Sequence, residues 1–150
     1  MPGQESLLAG VGPADIAVHG RPDGRMPVAP GTRSHLADGR VVSWAPRLPD
    51  GLRFAVDAEI ADQPVPRALA RRFGIDRPED FWPRWTAVEV ACKVCDVPLM
   101  VWLTSRGLRS DPARVLTATF RTGDLVVSVG VARGSSVAAR GSSVGVVGGS

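Results

Sequence analysis

A chain of 150 residues can bury one respectable core but is short for two full domains. Hydrophobic residues at 44% and charged residues at 22% are ordinary globular values and exclude wholesale disorder. The net charge of +3 is spread over scattered arginines with no basic stripe interleaved with aromatics, which argues weakly for an acidic partner and against a nucleic-acid binder.

The opening residues, MPGQESLLAGVG, show neither a basic n-region nor a long apolar stretch, so no secretory signal is expected. Residues 1–33 are rich in Gly and Pro, and GRPDGRMPVAPG (20–31) reads as looped chain with forced turns. The first clear strand pattern is Arg40 to Ala45, entered through the turn signal Asp38-Gly39 and left through Pro46 and Pro49-Asp50-Gly51. Leu52 to Glu59 follows, and the two segments are expected to pair as an antiparallel hairpin. In the second of them Arg53, Ala55, Asp57 and Glu59 alternate with apolar residues, so a period of two sets both carboxylates on one face.

Pro64 to Phe73 carries Val65, Leu69 and Phe73 at i, i+4 and i+8 with Arg67, Arg71 and Arg72 off that stripe, a short amphipathic helix with a basic side. A helical turn is expected at Pro78 to Trp82, with Pro83 opening a separate helix over Arg84 to Cys95 that Pro98 ends. Then come a strand at Leu99 to Leu103, a polar loop through Pro112, and a hairpin of Val115 to Arg121 with Leu125 to Val131 around Thr122-Gly123-Asp124. The longest apolar run, Val97 to Leu103, is far too short to span a bilayer, so no membrane segment is expected and the cytoplasm is the expected location. From Arg133 the sequence RGSSV occurs twice and the chain ends in VGVVGGS, which reads as a disordered tail. The fold class expected is α+β, mostly antiparallel, with divisions at 1–46, 47–131 and 132–150.

Cys92 and Cys95 have a C-x-x-C spacing, yet they fall late in an apolar helical segment with no further ligands at zinc spacing, so two free thiols are expected. Between Trp85 and Val97 the only charges are Glu89, Lys93 and Asp96, which places costly ionised groups on a helix apolar nearly all round. Lys93 is also the only lysine of the chain. One explanation is mutual neutralisation of Glu89 and Lys93 at i, i+4. The other is a meeting of Glu89 with Asp57 and Glu59, three carboxylates that would repel unless a cation such as Mg²⁺ sat among them with a phosphorylated ligand.

AVDAE (55–59) resembles the G-[IV]-D-x-E strand of phosphopantetheinyl transferases, and WTAVEVACK (85–93) resembles their W-[ST]-x-K-E-[AS]-x-x-K helix. GRP (20–22), SHLADGRVVSWA (34–45) and LVVSVGV (125–131) are similar to further segments of that family in the same order. The likeness covers about residues 16–131 and is to the two-lobed type that serves peptide and polyketide synthases of secondary metabolism, with the first lobe shortened to a remnant at 1–46. It implies Mg²⁺-dependent transfer of 4′-phosphopantetheine from coenzyme A to a serine of an acyl or peptidyl carrier protein. Asp57, Glu59 and Glu89 would be the metal ligands, and Glu89 and Lys93 the catalytic pair, with Lys93 beside the pyrophosphate. Ser34, His35 and Arg21 would join Lys93 in contacting the coenzyme, and the arginines 71 and 72 would face the carrier protein. Pairing of two chains is one way to close the shortened cleft. The alternative is a non-catalytic relative that binds a carrier protein or synthase. The sequence departs from the pattern at Val88, in place of the lysine before the helix glutamate, at Ala55 in place of glycine, at Thr32 in place of asparagine, and at Asp96-Val97-Pro98-Leu99.

Overall fold

The structure, a computed structural model, describes residues 4–20 and 31–134; the expected 21–30 loop, Arg21 and the repetitive tail from residue 135 lie outside the described residues. The observed class is α+β. After two 3-10 helices, Gln4–Leu8 and Pro13–Asp15, come four strands: β1 (Ile16–His19), β2 (Thr32–His35), β3 (Val41–Trp44) and the longer β4 (Leu52–Ile60). Three helices follow, α1 (Arg67–Phe73), α2 (Pro78–Cys95) and α3 (Leu99–Arg106), then β5 (Leu116–Thr122) and β6 (Leu125–Arg133). Two antiparallel sheets result, ordered β1-β3-β2 and β4-β6-β5.

The hairpin expected between the third and fourth strands does not form. Both edges of β3 are taken, by β1 with Ile16 opposite Trp44 and by β2 with Thr32 opposite Trp44. The fourth strand instead pairs along its whole length with β6, from Leu52 opposite Arg133 to Ile60 opposite Leu125. The division expected at residue 46 falls in the proline-bearing connection between the two sheets. The β5–β6 hairpin is present, closed by Thr122 opposite Leu125 with Gly123 at φ 58°, where a side chain would be strained. Arg40 clips the two sheets together, its guanidinium donating to Asp38 at 2.8 Å and to both carboxylate oxygens of Asp124 at 2.8 and 2.7 Å.

Three helices differ from expectation in informative ways. The α1 helix starts three residues late because Pro64 and Pro66 hold the chain extended, yet its Leu69 and Phe73 pack with Val65 as their spacing requires. Pro83 does not open a new helix: it lies inside α2, which begins at Pro78. Its ring removes the hydrogen bond to Glu79, but Phe81 stacks on Trp85 at 5.5 Å and the Trp82 indole N–H donates to the Gln63 carbonyl at 2.8 Å, so packing on both sides of the proline keeps the helix continuous. The segment from Leu99 is helix rather than strand. Trp102 and Leu103 are buried while Met100 and Val101 face solvent, a helical period that five apolar residues could not reveal.

The core is layered. One apolar cluster lies between the two sheets, with Val42 and Trp44 against Val56, Ala58, Val127 and Val129. A second lies on the other face of the β4–β6 pair, under α2 and α3, with Ala55, Val88, Ala91, Val94 and Trp102. Each fully buried valine contributes about 2 kcal/mol by removal from water. The near-continuous apolar run of β6 is explained by burial on both faces. Gly130 permits the helix to sit close, since a Cβ there would overlap Val90.

Candidate functional site

The period of two along β4 sends Asp57 and Glu59 toward α2, as expected, and Val56 and Ala58 toward the small sheet. Their counterpart on the helix is held in register by hydroxyls. Ser128, opposite Asp57 on β6, is 2.8 Å from the Thr86 hydroxyl on α2 and 2.7 Å from that of Thr119 on β5. Thr86, Glu89 and Lys93 stand at i, i+3 and i+7, one stripe of the helix, so the contact that anchors Thr86 also aims Glu89 and Lys93 at the carboxylate face of β4.

Lys93 donates to the Oδ1 of Asp57 at 2.8 Å and to the Val56 carbonyl at 3.1 Å. The i, i+4 pairing with Glu89 considered from the sequence is therefore not the one made; the ammonium crosses to the strand. Asp57 is only 7% exposed. Burial pushes its carboxyl up from the ordinary range, and the Lys93 charge and the Ser34 hydroxyl pull against that shift. Glu59 is half-buried and accepts a 2.8 Å bond from the Gln63 side chain. Its carboxyl is also raised, by burial and further by the Asp57 charge, with Gln63 opposing. Glu89, half-buried on α2, makes no hydrogen bond or ion pair among the described residues. Burial raises it most, then the negative charge of Asp57, while Lys93 lowers it and Glu59 raises it again. Burial thus disfavours the charged form of all three carboxylates, and the Asp57 charge adds to this at Glu59 and Glu89, around one ammonium.

Ser34 is 5% exposed, and its hydroxyl donates to Asp57 Oδ1 at 3.2 Å while accepting the Ala58 N–H at 3.1 Å. Thr32 likewise accepts the Val56 N–H at 3.3 Å. These two side chains cap the free edge of β4, so Ser34 is built into the support of Asp57 rather than presented to a ligand. His35, the next residue, is exposed at the end of β2 and is not brought to the carboxylates. Val88 is 1% exposed in the core under the helix, so the position where the resembled motif has lysine points into apolar packing here. Among the described residues no group of three or more His, Cys, Asp or Glu side chains is drawn together as a metal site.

A shallow open depression adjoins the cluster, lined by Glu89, Lys93, Asp96 and the Val97–Leu99 segment. Both cysteines are free; Cys92 is buried, its thiol pushed up to about 11 chiefly by burial, and Cys95 is half-buried. The sequence reading missed Thr86, Ser128, Gln63 and the capping role of Thr32. For Thr86 a signal was present, its helical spacing from Glu89 and Lys93. No helix among the described residues is long and apolar enough to cross a membrane. No family model, curated protein or solved structure matches this chain.

Proposed function

We propose that this chain is a phosphopantetheinyl transferase, moving the 4′-phosphopantetheine arm of coenzyme A onto a serine hydroxyl of an acyl or peptidyl carrier protein in the cytoplasm. The reading is carried by one observation: burial raises the carboxyls of Asp57 and Glu59 on β4 and of Glu89 on α2, the Asp57 charge raises the other two further, and the single ammonium of Lys93 lowers all three. Three acids against one base leave a surplus of negative charge in a partly dry place, and the oxygen donor set suits a hard divalent cation completed by water and phosphate oxygens. Asp57, Glu59 and Glu89 would hold Mg²⁺, which when bound supplies neutralisation of the coenzyme's pyrophosphate. Lys93 can offset charge developing on the leaving phosphate, the task for which a compact ammonium suits better than a guanidinium. Glu89, partly desolvated and without a hydrogen-bond partner among the described residues, is the carboxylate most available to an incoming group.

A second reading, a non-catalytic relative that docks a carrier protein or synthase, is favoured by the exposed arginine face of α1, where Arg67 and Arg71 border an open depression. Incubation with coenzyme A, Mg²⁺ and several apo carrier proteins, followed by mass measurement of the carrier, separates the two. Transfer requires the carrier to gain the mass of the arm, and Asp57→Ala, Glu59→Ala and Glu89→Ala should each abolish the gain while melting cooperatively. Carrier binding without any mass gain supports the docking reading.

A further inference from the structure

At the other end of the same β4 face, beyond Lys93, a cleft of about 290 Å³ opens between the last turn of α2 and the ends of β4 and β6. Arg53, Arg114 and Arg133 line it together with Cys95, and the rest of its wall is valine and alanine. No acidic side chain lines the cleft among the described residues. Four arginines elsewhere pair with carboxylates: Arg40 with Asp38 and Asp124, Arg77 with Glu79, Arg106 with Asp111, Arg121 with Asp62. None of the three cleft arginines forms an ion pair among the described residues, and Arg53 makes only a 3.4 Å bond to the Lys93 carbonyl.

We propose that this cleft binds a small phosphate-bearing ligand, gripped by Arg53, Arg114 and Arg133. Like charges gathered in a concavity repel one another, and an anion converts that repulsion into binding. The guanidinium fork matches carboxylate and phosphate alike, but three forks offer more donors than the two oxygens of one carboxylate can accept, whereas a phosphate or pyrophosphate has enough terminal oxygens to engage all three. The cleft volume fits a small molecule rather than a protein segment. This inference does not rest on the transferase reading. Arg53 precedes Asp57 by four residues on the strand, a separation of about 13 Å at the usual rise, so the arginines and the carboxylates form separate centres.

Inorganic pyrophosphate is the probe, titrated calorimetrically into the full chain in EDTA at fixed ionic strength, so that no divalent cation recruits the carboxylate cluster. Saturable binding is expected, weakened at least tenfold in each of Arg53→Ala, Arg114→Ala and Arg133→Ala, with melting temperatures of these exposed-site variants checked in parallel. A second readout uses Cys95, which lines the cleft, while Cys92 is 5% exposed and its thiol is pushed up to about 11. Saturating pyrophosphate should slow modification of Cys95 by a neutral maleimide several-fold. Absence of binding, binding indifferent to all three substitutions, or equal binding of citrate at the same ionic strength would each overturn the proposal.

Discussion

The two faces of β4 share a backbone and nothing else. Toward the small sheet, Phe54, Val56 and Ala58 join Val127, Val129 and Val131 in an unbroken apolar surface, and Phe54 meets Trp44 edge-on at 5.8 Å. Toward α2 the same strand presents Ala55, Asp57 and Glu59, neighboured on β6 by Gly130 and Ser128. One face gains stability by losing water, while the other holds charged groups with most of their water removed. A strand can carry both because its side chains alternate, so the apolar face supplies the stability that the polar face draws on.

The sharpest way to break this division is to move a charge across it. Val56 is fully buried in the apolar cluster between the sheets, so Val56→Asp should cost about 4 kcal/mol, enough to leave a marginal domain unfolded. Asp57→Val, one residue along, removes a buried charge and leaves Lys93, 37% exposed, free to turn to water. It should stay folded while losing any transfer activity. Urea unfolding of the two variants side by side measures the asymmetry, and equal losses would show that the faces are not distinct.

Removing the cation tests the polar face alone. Lys93→Met leaves Asp57 buried without its ammonium and should cost about 2 kcal/mol near neutral pH, below the usual range for a broken buried pair because Lys93 is partly solvated. The loss should shrink as pH falls and Asp57 takes up a proton, its carboxyl being raised already by burial. A loss independent of pH would assign the effect to packing of the lysine stem. Ser34→Ala should cost less, about 1.5 kcal/mol, by leaving the Ala58 N–H without its acceptor and Asp57 without one donor. Amide exchange at Ala58 reads this directly and should accelerate in the variant but not on substitution of exposed His35.

Much of this contrast was legible in the sequence. The alternation of LRFAVDAE is enough to set Asp57 and Glu59 on one face, and isolated charges on an apolar helix single out Glu89 and Lys93. Partner choice was not legible. Strand pattern does not say which edge is free, and the expectation that β3 pairs β4 failed because β1 and β2 occupy both edges of β3. The choice of Asp57 over Glu89 by Lys93 depends on how α2 is rotated over the sheet, which Gly130 and the Thr86–Ser128 contact determine. The continuity of α2 through Pro83 comes from aromatic packing at Phe81, Trp82 and Trp85, a tertiary override of a local breaker. The arginine cleft draws on residues 53, 114 and 133, too far apart in the chain for any local motif to announce it.

The smallest expected effect is also the one that best joins stability to the proposed chemistry. Asp57, Glu59 and Glu89 all have raised carboxyls, so the folded protein binds their protons more tightly than the unfolded chain does. Their contribution to stability is therefore fully present below the ordinary carboxylate range, about pH 4, and is lost as pH rises through the folded values above it. Asp38, Glu79 and Asp124 are shifted downward and act in the opposite sense, losing their contribution only as pH falls below that range. Glu89→Gln keeps the shape and removes a half-buried charge that Asp57 and Glu59 disfavour. It should raise stability at neutral pH by about 0.5 kcal/mol, roughly 2 °C in melting temperature, and flatten the decline that sets in above the ordinary carboxylate range. Addition of Mg²⁺ should raise the melting temperature of the wild-type chain and do so less in the variant, because binding to the folded state alone is stabilising. A variant less stable than wild type at neutral pH, with the same pH slope, would remove Glu89 from the coupled cluster and with it the third ligand of the proposed metal site.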